Sequence, residues 1–171
     1  EAGFESFTKG MNERDLSNLI IHEMLRKGAD SGYYANFNGC LSVRANRPIQ
    51  MTPIPVDRTI EKGDIIRVDG GAVYRNYCSD IIRFASVGHE LSPEYEKLYD
   101  AIVKAFEAAI KIIRPGVGAS EIFRAYTDVI RKEGYEELMW KWTTTRGVTF
   151  GHGIGFEIHE EPILCSSADN R

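Results

Sequence analysis

Ile65-Ile66-Arg67-Val68-Asp69-Gly70-Gly71-Ala72-Val73-Tyr74-Arg75-Asn76-Tyr77-Cys78-Ser79-Asp80-Ile81-Ile82-Arg83-Phe84 is the stretch whose reading decides the fold. Both halves are rich in Val, Ile, Tyr and Phe, which suit a pleated, half-buried surface, and they read as two strands turning near Tyr74-Arg75. With a tight two-residue hairpin at that point, Asp69 stands directly opposite Asp80. Opposed side chains in a sheet have Cβ atoms about 4.5–5.5 Å apart, where like charges are destabilising unless a cation or a shared proton neutralises them. A metal is the economical explanation. The competing reading puts one Asp in the turn and the other on a solvated face.

Outward from the hairpin, Glu61-Lys62-Gly63-Asp64 reads as the turn that feeds it. Asn46 to Pro55 contains three prolines and is an irregular connection. Residues 33 to 44, with Tyr33, Tyr34, Phe37, Leu41 and Val43 among Asn and Gly, suggest strand and loop. Residues 12 to 27 form the first expected helix, with Leu16, Leu19, Ile20 and Met24 at helical spacing, Asn12 as cap and Gly28 as stop; His22 and Glu23 fall on its polar face. Downstream, Ser92-Pro93-Glu94 opens a long helix to about 113, with Tyr95, Leu98, Ile102, Phe106, Ile110 and Ile113 as an apolar stripe expected to be core. Pro115-Gly116 ends it. A further helix over 120–133 has Ile122, Phe123, Tyr126, Val129 and Ile130 inward and Gly134 as its C-terminal cap.

Composition limits the function classes. A chain of 171 residues with 43% hydrophobic content can bury a sizeable core. The net charge of −4 gives no electrostatic reason to expect nucleic acid or an anionic membrane as partner. No apolar run has membrane-spanning length, and no signal peptide is recognisable at the N-terminus. Cys40, Cys78 and Cys165 are odd in number, show no metal-ligand spacing, and read as reduced thiols of a cytoplasmic protein. With no initiator Met and patterned sequence almost from Glu1, the chain is expected to be an excised piece.

A second segment, Phe150-Gly151-His152-Gly153-Ile154-Gly155-Phe156-Glu157-Ile158-His159-Glu160-Glu161-Pro162, holds half of the four histidines. Glycines on both sides of His152 allow close backbone approach at a crowded site. His159 lies at odd parity from His152, so the two rings share a site only if the chain bends between them, as Gly153 and Gly155 permit. Alone, Gly-His-Gly is more often a loop with a hydrogen-bonded histidine.

Together, an Asp pair on a hairpin, Gly-His-Gly-Ile-Gly and His-Glu-x-Pro resemble the pita-bread metallopeptidases (methionine aminopeptidase, Xaa-Pro aminopeptidase and prolidase) and their relative creatinase. Gly63-Asp64, Ser79-Asp80 with Arg83, and Arg114-Pro115-Gly116 stand where that family has them, and His152 to Pro162 is most similar to the Xaa-Pro branch. The resemblance implies an α/β (α+β) pita-bread fold, a curved antiparallel sheet with helices on its convex face. It implies one incomplete catalytic domain over 1–171, the C-terminal strands missing. The sheet edge then left open would favour pairing into a homodimer.

The resemblance also implies two divalent ions (Mn, Co or Zn), about 3.5–4 Å apart, whose bridging water attacks the N-terminal peptide bond of a peptide or small amide substrate. Asp69, Asp80 and His152 would be metal ligands, and His159 would donate to the substrate or to the oxyanion. The family's two remaining ligands are glutamates on later strands, so this chain is expected to carry a weakened or empty site and to be inactive alone. Thr52 and Val148 stand where the family has histidines. A creatinase-like amidohydrolase or a peptide-binding module is the alternative.

Overall fold

Helix α1 (Glu13–Arg26) begins where Asn12 caps it. The Asn12 side chain accepts from the Asp15 N–H at 2.8 Å, and the Asp15 carboxylate accepts from the Asn12 N–H at 3.1 Å. This reciprocal pair satisfies amides that a helix start leaves without partners. Past the other end, Gly28 takes φ of 97°, the left-handed conformation that closes a helix. His22 is exposed and Glu23 pairs with Arg26 at 2.8 Å, as a polar face requires. The computed structural model describes residues 5, 7–34, 37–38, 42–45, 55–140 and 149–165. Cys40, Thr52, Val148 and most of the proline-rich connection lie outside the described residues.

Strands β1 (Ser31–Tyr34), β2 (Phe37–Asn38), β3 (Ser42–Ala45), β4 (Ile65–Tyr74), β5 (Tyr77–Cys78) and β6 (Ile81–Ser86) make one antiparallel sheet with β4 as its hub. β4 pairs with β1, β3, β5 and β6 along different parts of its length. Alternation decides its faces: Ile66 and Val68 are buried with Leu16 and Ile60, while Arg67 and Asp69 fall on the other side. Among the described residues β6 pairs with β4 alone. These strands belong to the first of two compact units, Glu1–Glu90 with Ile154–Ile158.

The hairpin turn lies one residue later than the sequence suggests. Tyr74 pairs with Tyr77, and the central turn residues are Arg75 at φ 50° and Asn76 at φ 68°. A two-residue hairpin wants both central residues left-handed, which Asn tolerates and an aromatic such as Tyr74 resists. Arg75 is held there by its N–H donating to the Asp30 carboxylate at 2.5 Å. The register moves accordingly, so Asp69 pairs with Ile82 and the expected direct opposition of Asp69 and Asp80 does not occur. Ser79 and Asp80 occupy the break between β5 and β6.

The second unit, Leu91–Gly153 with His159–Arg171, holds α2 (Pro93–Ile112), α3 (Ala119–Lys132), α4 (Glu136–Trp140), β7 (Thr149–Gly153) and β8 (Glu160–Cys165). Ser92 caps α2 by accepting from the Tyr95 N–H at 3.4 Å. α2 packs against α3 and buries Ala101, Ala105 and Ala109. Its larger apolar residues Tyr95, Ile102, Phe106, Ile110 and Ile113 are exposed, which corrects their assignment to the core. The physical reason is that small side chains let two helix axes approach closely, so the alanine row wins the contact with α3. In α3 the expected inward residues Ile122, Phe123 and Ile130 are buried, and Gly134 closes the helix at φ 85°. Among the described residues no helix is long and apolar enough to cross a membrane.

Candidate active site

In the first unit, Asp69 is buried in mid-strand, and Arg67 Nη2 donates to its Oδ2 at 2.5 Å. The two side chains are only 18% and 11% exposed, so their attraction is weakly screened. Arg67 lies two residues before Asp69 in the strand, a spacing that puts both side chains on one face.

Gly71 shows how tightly the hairpin is closed here. A Cβ on Gly71 would lie 1.7 Å from the Ser79 carbonyl oxygen. The Ser79 N–H donates to Ala72 O at 2.9 Å, and the Ala72 N–H donates to Ser79 Oγ at 3.0 Å. This bridging fixes the backbone immediately before Asp80, which is half-buried. Residues 154–158 return to the same hairpin: the Cys78 N–H donates to Gly155 O at 2.7 Å, and the Tyr77 and Phe156 rings lie 4.6 Å apart.

A second ion pair braces the approach to β4. Asp64 accepts from Arg58 Nη1 at 2.6 Å, from Arg58 Nη2 at 2.9 Å and from the Glu61 N–H at 2.9 Å. The Arg58 guanidinium, helped by the Glu61 amide and opposed by burial, holds the Asp64 carboxyl below its ordinary value. Gly63 supplies the positive φ of 99° that the turn needs.

In the second unit, β7 and β8 pair around His152 with two irregularities in register. Phe150 anchors β7 on α3 by stacking on Tyr126 at 4.4 Å and Phe123 at 5.3 Å. The flanking glycines are there for close approach, as expected: a Cβ would lie 2.9 Å from Leu164 Cδ1 at Gly151 and 2.4 Å from Glu161 O at Gly153. The bend between the two histidines brings their rings to 4.3 Å. His152 Nδ1 lies 2.9 Å from Gly153 O, and since a carbonyl only accepts, Nδ1 carries the proton. In the neutral ring the lone pair is then on Nε2, the form in which an imidazole ligates a metal.

These side chains, two carboxylates and an imidazole, are of the donor types that hold a divalent cation. Within neither unit do the described residues group three His, Cys, Asp or Glu side chains that could hold an ion.

A model of metallopeptidase family M24 matches residues 1–171. The chain belongs to this family. Among its M24 relatives is an Xaa-Pro dipeptidase of Pyrococcus furiosus, 29% identical over 163 residues, covering 95% of this chain and 43% of that protein. An uncharacterized peptidase of Bacillus subtilis, YqhT, is 31% identical over 155 residues, covering 91% of this chain and 40% of that one. The solved X-Pro aminopeptidase from Thermotoga maritima superposes with a TM-score of 0.82 at 30% identity, over 99% of this chain and 45% of the other. The chain thus spans under half the length of the relatives it matches. The M24 fold is the pita-bread fold of prolidases and aminopeptidases, mixed helix and antiparallel sheet, as the sequence resemblance implied.

Proposed function

We propose that this chain is part of a metal-dependent peptidase of the Xaa-Pro dipeptidase or aminopeptidase type, hydrolysing the bond between an N-terminal residue and proline. Its similarity to an Xaa-Pro dipeptidase and an X-Pro aminopeptidase supports the substrate class. The observation that carries the reading is His152, whose Nδ1 is tied to Gly153 O and whose ring sits beside His159. Asp69 and Asp80 supply the carboxylate ligands and His152 the neutral one, with residues 1–171 as part of a single catalytic domain. Two divalent ions of Mn, Co or Zn would, when bound, supply Lewis acidity and a water nucleophile at neutral pH. His159 donates a hydrogen bond toward the oxygen on which charge develops at the scissile carbonyl.

The test compares full-length protein with the 171-residue chain on Xaa-Pro dipeptides, with Mn²⁺ and with chelator. The full-length protein should cleave, lose activity to chelator and regain it with Mn²⁺, and Asp80→Asn or His152→Ala should cost orders of magnitude in kcat/KM. The 171-residue chain, which spans under half the length of these relatives, should show no turnover. Cleavage indifferent to chelator and to both substitutions would refute the ligand assignment. Metal-loaded full-length protein inert to every Xaa-Pro peptide would favour the creatinase-like or peptide-binding alternative, which Thr52 and Val148 in place of family histidines support.

A further inference from the structure

We propose that Arg67 is a resident counter-ion for Asp69, which any metal ion bound by that carboxylate must displace, so that Arg67 lowers the affinity of the site for metal. The inference rests on the assignment of Asp69 as a ligand. Residue spacing along β4 places both side chains on one face, and Arg67 Nη2 lies 2.5 Å from Asp69 Oδ2. Both are more than four-fifths buried, 18% and 11% exposed, so solvent does little to weaken the pair. On β6 the residues in register with them, Phe84 opposite Arg67 and Ile82 opposite Asp69, are apolar, while on β3 Arg44 is in register with Arg67 and Ser42 with Asp69.

A guanidinium stays protonated at any physiological pH, so its competition cannot be relieved by losing a proton. It occupies a lone-pair direction of Oδ2, and its charge repels a second cation nearby. Arg67 therefore compensates the buried Asp69 carboxylate in the metal-free protein, the role a metal would take over in the loaded one. Removing it should make the metal-free protein less stable and the site more avid for metal. A merely structural arginine would show the first effect without the second.

The experiment uses metal-stripped full-length protein and Mn²⁺ alone as the probe. Binding is followed by titration calorimetry and the melting temperature is recorded with and without Mn²⁺. Arg67→Leu should melt below wild type when stripped, bind Mn²⁺ about tenfold tighter or more, and gain more in melting temperature from Mn²⁺ than wild type does. Arg67→Lys, which keeps the charge, should stay near wild type. Should the leucine variant fail to fold, Arg67→Gln keeps a hydrogen-bond donor without the charge and should show the same tightening. Equal or weaker Mn²⁺ binding by the uncharged variants, alongside its loss in Asp69→Asn, would overturn the role of Arg67 while leaving the metal site standing. Unchanged Mn²⁺ binding in Asp69→Asn would mean that the ligand assignment itself has failed, and the inference would fall with it.

Discussion

Gly71→Ala should be among the most damaging small changes in the hairpin. The added Cβ would sit 1.7 Å from the Ser79 carbonyl oxygen and 2.5 Å from its carbon. Both are backbone atoms, so no side-chain rotation relieves the clash, and the strand must withdraw by more than an ångström. That movement breaks three bonds: Ser79 N–H to Ala72 O at 2.9 Å, Ala72 N–H to Ser79 Oγ at 3.0 Å, and Ser79 Oγ to Ala72 O at 3.2 Å. At about 0.5–1.5 kcal/mol each, the loss is about 1.5–4.5 kcal/mol. The control is Gly116→Ala, where φ is +88° but nothing lies within 4 Å of the new Cβ. Backbone strain alone should cost it about 1–2 kcal/mol. Urea denaturation of both variants measures the difference through the midpoint at unchanged slope. A Gly71→Ala protein no less stable than Gly116→Ala would refute the close approach of β4 and Ser79.

Asp64→Asn should cost about 3 kcal/mol, the lower end for breaking a buried pair, because Asp64 is 5% exposed while Arg58 is 33% exposed. Because the folded-state pKa of Asp64 lies below its unfolded value, its contribution is complete above the unfolded pKa and is lost as pH falls through the folded one. Stability of the Asn variant should therefore fall less steeply on the acid side, and equal acid limbs in denaturation curves would contradict the pairing. Asn12→Ala removes the side-chain half of the α1 cap, leaving the Asn12 N–H to Asp15 bond, and should lower stability by about 1 kcal/mol, read by chemical denaturation; Asn12→Asp should stay near wild type. Ile66→Ala, at a position 1% exposed against Leu16 and Val68, should cost about 2–5 kcal/mol, and a loss under 1 kcal/mol would place Ile66 outside the core.

Local signals were legible in the order of residues. Asn12, Gly28, Ser92-Pro93 and Gly134 mark helix ends because capping chemistry is satisfied within a few residues of the chain. The glycines around His152 and the need for a bend before His159 could be read for the same reason, as could the family resemblance carried by Asp69, Asp80 and His152. What the order of residues alone could not decide was which of two competing partners each group takes. α2 carries large apolar residues on one side and alanines on another; closeness to α3 favours the alanines, and that distance exists only once both helices are in place. The hairpin could turn at Tyr74-Arg75 or at Arg75-Asn76. The second won because Asn76 accepts a left-handed backbone and the Asp30 carboxylate, distant in sequence, holds the Arg75 amide. Asp69 illustrates the limit most directly. Its charge calls for a cation in any context, but a register that moves Asp80 away from direct opposition and a strand parity that brings Arg67 alongside are properties of the assembled sheet, where distance and burial set the strength of each attraction.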